Sequence, residues 1–348
     1  MTKKTVGIIG AGAFGTALAK TLGQKGISVS LWSFTEEGTR NINESRENKQ
    51  FLPGVIIPPS VRATCDIREA ADGKDYLIMA TPSLFLVDTL KQILSIPSIV
   101  EGETLIATIT KGFIAGKNGP QFMLETMENY LPGSYKGNTV YISGPSHAEE
   151  IGAEKITGLI SASLNPRNSI EFRELLSSSY TRLFSSLDII GVQASAALKN
   201  VIAIAFGILD ALKETTAMVG DNTESFLFAA GLNELQLLGK NLGSTHPETF
   251  TSIAGVGDLD VTCRSQFGRN RRFGRDIILK RIHEQFSGID DLIDNIGSIG
   301  YLPEGAIAAR YAVEFGEKFN LKLPITQLVY DILNRDLKPE NAMDAFLA

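Results

Sequence analysis

Lys199 has Ser195, Ala196, Ile202 and Ala203 as its helical neighbours at three and four positions, which leaves its ammonium little access to water. Desolvation lowers the pKa of an amine, and a lysine so placed is suited to general acid–base work. A structural ion pair in the core is the competing reading. Carboxylates able to meet it stand in Gly255-Val-Gly257-Asp258-Leu-Asp260. Directly afterwards comes Arg264-Ser-Gln-Phe-Gly268-Arg269-Asn270-Arg271-Arg272-Phe-Gly-Arg275, five arginines in twelve residues. Guanidinium grips phosphate oxygens in a two-pronged fashion, so this segment reads as a phosphate clamp. A nucleic-acid patch or a solvated basic face would use the same residues. The chain carries 33 basic and 39 acidic residues, a net charge of −6. Its overall field therefore favours no nucleic acid.

A second constellation lies near the start. Gly10-Ala-Gly12-Ala13-Phe14-Gly15 follows an apolar, β-rich run over 5–9 and opens a helical pattern over 14–25. Gly10 permits a tight turn, Gly12 lets the backbone approach a pyrophosphate, and Gly15 lets helix pack closely on strand. The helix N-terminus adds free N–H groups and a positive dipole. The next strand ends at Trp32-Ser33-Phe34-Thr35-Glu36-Glu37. No basic residue stands there to bind a 2′-phosphate, and two glutamates disfavour one, so the local chemistry leans to NAD over NADP. Two more strand ends carry polar groups: Thr110-Lys111-Gly112 and Ser143-Gly144-Pro145-Ser146. Ligands of open α/β sheets sit at such carboxyl ends. A solvated lysine is the plainer reading of Lys111. Ser146 with Glu149 also has the spacing of a helix capping box.

The elements that position these groups follow from periodicity. Strands are predicted over 5–9, 28–32, 76–80, 104–110, 139–143, 157–163 and 181–185, with helical stretches such as 14–25 and 84–94 between them. This alternation predicts an α/β fold, a Rossmann-type doubly wound sheet. From residue 189 the apolar spacing is helical, and an all-α domain is expected. The predicted boundaries are 1–187 for the dinucleotide-binding domain and 188–348 for the helical substrate domain. The stretch 189–209 nearly has the length of a membrane span, but Gln193, Ser195, Lys199 and Asn200 near its middle point to a buried helix. Two cysteines nearly 200 positions apart exclude a disulfide framework, and three scattered histidines give no metal spacing. The basic start, Met1-Thr-Lys-Lys, leads into a short glycine-interrupted run unlike a signal peptide, and the expected compartment is the cytoplasm.

Seven motifs in order, covering essentially the whole chain, resemble the NAD-dependent glycerol-3-phosphate dehydrogenases. They are Gly10-Ala-Gly-Ala-Phe-Gly-Thr16, Thr110-Lys-Gly112, Ser143-Gly-Pro-Ser146, Ala197-Leu-Lys-Asn-Val201, Gly220-Asp-Asn-Thr223, Ala254-Gly-Val-Gly-Asp258 and Gly268-Arg-Asn-Arg271. The resemblance implies that Lys199 is the acid–base residue, with Asp258 and Lys111 beside it in catalysis. It places Lys111, Gly144, Ser146, Asn200, Asp258, Thr262, Gly268, Arg269 and Asn270 around substrate. It places Ala13, Phe14, Phe34, Lys111, Ala148, Arg269, Leu302 and Glu304 around the cofactor, with the loop glycines Gly10, Gly12 and Gly15. It also implies a homodimer. Gly268 and Phe34 depart from the serine and basic residue of common bacterial members and resemble the NAD-using eukaryotic type. Pro303 within Leu302-Pro303-Glu304-Gly305 is a further departure.

The expected reaction is hydride transfer between NAD(H) and dihydroxyacetone phosphate or sn-glycerol 3-phosphate, with NADP use left open and no metal. Such an enzyme would feed glycerophospholipid synthesis. Two rivals stand beside it: a hydroxy-acid dehydrogenase of the same architecture, and a non-catalytic NAD-binding sensor. The arginine segment argues against the first, and a desolvated lysine argues against the second.

Overall fold

Runs rich in Val, Ile, Leu and Thr form an eight-stranded sheet in the computed structural model, which describes residues 4–347. The first three residues of the basic start, weighed above as a leader, and Ala348 lie outside the described residues. Across the sheet the strands run Thr181–Ser186, Thr157–Ala162, Val140–Ser143, Leu105–Thr108, Tyr76–Met79, Thr5–Ile9, Ser28–Trp32 and Val61–Thr64. The last six are mutually parallel; Thr157–Ala162 pairs antiparallel to Val140–Ser143, and Thr181–Ser186 pairs parallel with it. Central strands such as Tyr76–Met79 are buried at every residue, as parallel strands covered on both faces must be. The seven predicted strands are present. The eighth, Val61–Thr64, was not predicted.

The chain leaves Thr5–Ile9 towards Ser28–Trp32 on one side and then returns to place Tyr76–Met79 on the other. That reversal is the topological switch point, where ligands of such sheets bind. The glycine loop sits at the carboxyl end of the strand beside it.

The chain divides into two compact units. One comprises Met1–Thr110 and Met123–Ile189, the other Lys111–Phe122 and Ile190–Ala348. A single cut at 187 therefore misses one excursion. Phe113–Gly116 and Gly119–Phe122 pair as a hairpin belonging to the helical unit, where Phe113 packs on Phe315 with ring centroids 5.2 Å apart.

The second unit is built around the helix Ile189–Lys213, in which every residue from 191 to 209 is buried. The helix is long and apolar enough to cross a membrane by length and composition, but 89% of its most apolar window is buried in protein. Asp221–Asn241, Arg269–Leu279, Glu304–Phe319 and Pro324–Leu333 contribute to the same core. Glycines set the closest crossing: a Cβ on Gly207 would lie 1.9 Å from the Arg271 carbonyl oxygen, and one on Gly274 would lie 2.0 Å from that of Ile204. Backbone touches backbone there, and the register between the Lys199 helix and the Arg269 helix is fixed.

Candidate active site

The glycine loop has the shape its sequence predicts. Gly10 adopts φ +129°, and a Cβ on Gly15 would lie 2.1 Å from the Gly10 carbonyl oxygen. A Cβ on Gly12 would meet nothing within 4 Å, so the loop leaves open space before the helix Ala13–Gln24. That helix starts with no side-chain cap and no acidic residue in its first turn, leaving its dipole uncompensated. An uncapped helix start of this kind offers free N–H groups and positive potential to an anion.

One residue that supports this loop carries no mark in the sequence. Asn48, 5% exposed, donates its amide to the Ala11 carbonyl at 2.7 Å and to the Thr16 hydroxyl at 2.8 Å. Its own carbonyl accepts from the Phe51 N–H at 3.3 Å. The two-strand hairpin Glu47–Asn48 and Leu52–Ile56 thus braces the loop from behind. No local signal marks such a residue, because its partners lie 32 and 37 positions away.

Phe34 stands 84% exposed just past the strand Ser28–Trp32. The following helix, Glu36–Ser45, is capped by Thr35 and opens with Glu36 and Glu37. Ser146 does not cap a helix as its spacing suggested. Its hydroxyl donates to the Gly144 carbonyl at 3.0 Å, and the helix Ala148–Gly152 starts two residues later from His147. The serine folds back into the tight turn at Gly144, whose φ is +118°.

In the helical unit the polar groups converge on Asp258, which is fully buried. Lys199 Nζ bonds one carboxylate oxygen, and Lys111 Nζ donates to the other at 3.0 Å. Lys199 also donates to the Thr262 hydroxyl at 2.9 Å, and that hydroxyl donates to the Asp258 carbonyl at 2.6 Å. Lys199 is 5% exposed. Its pKa is lowered to about 7: burial is the largest cause, Asp258 opposes it, and Lys111 adds to it. Burial alone would raise the Asp258 carboxyl, but the Lys111 and Lys199 ammoniums outweigh it and hold the pKa below the usual range. One carboxylate facing two ammoniums leaves a net positive charge at a buried position. The acid–base and ion-pair readings of Lys199 thus describe the same geometry.

The neighbouring polar groups are organised by Asn270. Its amide donates to Asn200 Oδ1 at 3.0 Å, and its carbonyl accepts from the Gly305 N–H at 2.9 Å. This ties Asn200 to the start of Glu304–Phe319. Pro303 caps that helix, so the unusual proline lies where its missing N–H costs nothing. Burial pushes the Glu304 carboxyl up, against the charges of Arg269, Lys111 and Lys199. Leu302 packs at the edge of the same core.

The arginine segment needs a correction, because tertiary partners consume most of the clamp. Arg264 pairs with Asp260 at 2.7 Å, Arg271 with Asp210 at 2.5 Å, and Arg275 with Glu214 at 2.7 Å. Arg272 lies over the Tyr301 ring and 3.8 Å from Asp276. Arg269, following Gly268 at the first position of its helix, is the one arginine of the five with no ion pair among the described residues.

Residues 5–169 match the N-terminal domain of NAD-dependent glycerol-3-phosphate dehydrogenase and residues 188–344 the C-terminal domain. A glycerol-3-phosphate dehydrogenase of Treponema denticola, whose name specifies NAD(P)+, is 51% identical over 348 residues, covering 98% of each chain. One from Bacillus subtilis is 34% identical, covering 99% of this chain and 94% of its own. The crystal structure of glycerol-3-phosphate dehydrogenase from Coxiella burnetii superposes with a TM-score of 0.85 at 31% identity, over 99% of both chains. With the dinucleotide loop and the buried lysine–aspartate–lysine group in place, the chain belongs to the NAD-dependent glycerol-3-phosphate dehydrogenase family.

Proposed function

We propose that the chain reduces dihydroxyacetone phosphate to sn-glycerol 3-phosphate, reversibly, with Lys199 as the proton donor. The observation carrying this reading is Lys199 held buried by Asp258 and Thr262, with Lys111 on the same carboxylate. The nicotinamide, when bound, supplies the hydride. Negative charge grows on the substrate carbonyl oxygen as the reaction proceeds, and an ammonium there both stabilises that charge and delivers its proton. Asp258 keeps the amine aligned, and Lys111 contributes further positive charge. The uncommitted Arg269 guanidinium takes the substrate phosphate, with Gly268, Asn200 and Asn270 shaping the surroundings. Gly144 and Ser146 are assigned to the substrate as well.

The loop from Gly10 to Gly15, with Ala13 and Phe14, holds the dinucleotide, and Phe34 packs on it. Ala148, Lys111, Arg269, Leu302 and Glu304 complete the cofactor set. Phe34 and the Glu36–Glu37 pair support NAD over NADP, since none of them offers a cation to a 2′-phosphate. The protein works as a cytoplasmic homodimer in glycerophospholipid synthesis.

The test is one spectrophotometric assay. NADH is oxidised on adding dihydroxyacetone phosphate, not on adding a 2-oxo acid, and kcat/KM is lower with NADPH. Silence with dihydroxyacetone phosphate refutes the reading: turnover of the 2-oxo acid would reveal a hydroxy-acid dehydrogenase, and cofactor binding without turnover a sensor. Equal or better use of NADPH would remove the cofactor preference alone.

A further inference from the structure

Two helices of the second unit end alike. Arg269–Leu279 and Pro324–Leu333 are each followed by one capping residue, Lys280 or Asn334. Each then places an arginine in left-handed backbone, Arg281 at φ 52° and Arg335 at φ 67°. That position favours glycine, because a Cβ is crowded there. Glycine would make either turn with less strain, and here both turns carry a long cationic side chain instead. Both arginines line one cleft of about 490 Å³, together with His283, Glu284, Lys338 and Glu340.

Charge in the cleft is unevenly committed. Arg281 is engaged by Glu340 and lies 3.7 Å from Glu284. Arg335 donates to the Phe286 carbonyl at 3.3 Å and meets no carboxylate among the described residues. The Lys338 ammonium has no partner among them either. His283 is 3% exposed, yet its Nδ1 has no hydrogen-bond partner among the described residues. Burial lowers its pKa, with Glu284 opposing and Arg281 and Arg335 adding to the effect. The ring is thus neutral near pH 7, and with Nδ1 sealed from solvent the nitrogen that can donate into the cleft is Nε2.

We propose that this cleft binds a phosphoryl group, carried by inorganic phosphate or a small phosphate monoester, through Arg335, Lys338 and His283. A guanidinium, an ammonium and an imidazole N–H supply charge-assisted donors to a dianion. The volume falls within the range of small-molecule sites, roughly 300–1,000 Å³. The site is separate from Arg269: the eleven-residue helix between Arg269 and Arg281 spans about 16 Å at 1.5 Å per residue.

The probe is inorganic phosphate, added to the full-length enzyme at ionic strength held constant with sodium chloride. The ring resonances of the three histidines are followed, and His283→Gln assigns the relevant one. The His283 resonance shifts saturably. Arg335→Gln combined with Lys338→Gln raises the midpoint at least about tenfold, and Arg269→Ala leaves it in place. Methyl phosphate separates the two carriers: a midpoint at or below that of inorganic phosphate identifies a monoester, and a higher one identifies the free ion. A wild-type His283 ring indifferent to phosphate overturns the proposal, and this arm needs no variant to fold. So does a response that survives the double substitution and vanishes with Arg269→Ala.

Discussion

Asp258 divides one negative charge between two lysines, and the protonation chemistry of the site follows from that sharing. Replacing Lys199 with Met keeps the length and removes the proton. General acid–base catalysis contributes about 10²–10⁴-fold, so kcat should fall by at least that order. NADH binding should change little, because the glycine loop is on the other unit. Near-normal turnover would transfer the role to Lys111. The pH dependence has a definite sign. Reduction needs Lys199 charged, so its kcat/KM should fall as pH rises through about 7; oxidation needs the neutral amine and should rise over the same range. Parallel profiles in the two directions would contradict the assignment. Arg269→Ala removes charge-assisted hydrogen bonds worth roughly 1.5–3 kcal/mol, and should cost about tenfold to 150-fold in kcat/KM for dihydroxyacetone phosphate. An unchanged value would mean that the phosphate is held elsewhere. Lys199 was legible because a charge amid Ala and Ile stands out in a sequence, whereas Lys111 was marked only by its place at a strand end and Asp258 only as one of two nearby carboxylates. The fate of the other arginines was not legible, since Arg271 and Arg275 find Asp210 and Glu214 each 61 positions away.

Among the elements, the brace behind the glycine loop carries a prediction of its own. Asn48→Ala removes both amide bonds and leaves the Ala11 carbonyl and the Thr16 hydroxyl only each other, at 3.4 Å, with each lost bond worth about 1 kcal/mol. The Kd for NADH should rise about tenfold while kcat at saturating NADH stays within about twofold, the reverse of the Lys199→Met pattern. Isothermal titration with steady-state kinetics checks the split, and an unchanged Kd would show the brace to be passive. Seven strands were readable because their Val, Ile and Thr runs are bounded by Gly, Pro or Asp. Val61–Thr64 was not: it has four residues, one of them an exposed arginine, and is a strand by virtue of pairing with Ser28–Trp32. The hairpin at 113–122 is equally short, and Phe113 finds its apolar partner Phe315 just over 200 positions on. Ser146 misled because its capping spacing is genuine while the turn at Gly144 competes for the hydroxyl.

At the scale of the molecule, one buried carboxylate joins distant helices. Glu234, 3% exposed on Asp221–Asn241, accepts from the Ile325 and Thr326 N–H groups at 2.5 and 3.1 Å and from the Thr326 hydroxyl at 2.6 Å. It thereby caps the helix Pro324–Leu333. Burial pushes its pKa up to about 7 from 4.5, with these hydrogen bonds pulling the other way. A folded-state pKa above the unfolded one means stability that is complete below about pH 4.5 and lost as pH rises through 7. The loss is up to about 3 kcal/mol. Glu234→Gln mimics the protonated carboxyl, so its Tm should change several degrees less between pH 5 and 8 than that of the wild type; equal slopes would show that Glu234 does not titrate there. The hairpin 111–122 bears on a different matter, the inheritance of the chain. Its two family matches meet between residues 169 and 188, which invites the idea of two modules joined end to end. The polypeptide does not divide that way. A gene cut at that seam would give a C-terminal product without Lys111 and without the Phe113 and Phe122 that pack in its core, while the N-terminal product would carry a hairpin with nothing of its own to cover it. Recombination at the seam is therefore penalised unless both pieces come from closely matched parents. The two halves are expected to travel through evolution as one indivisible gene.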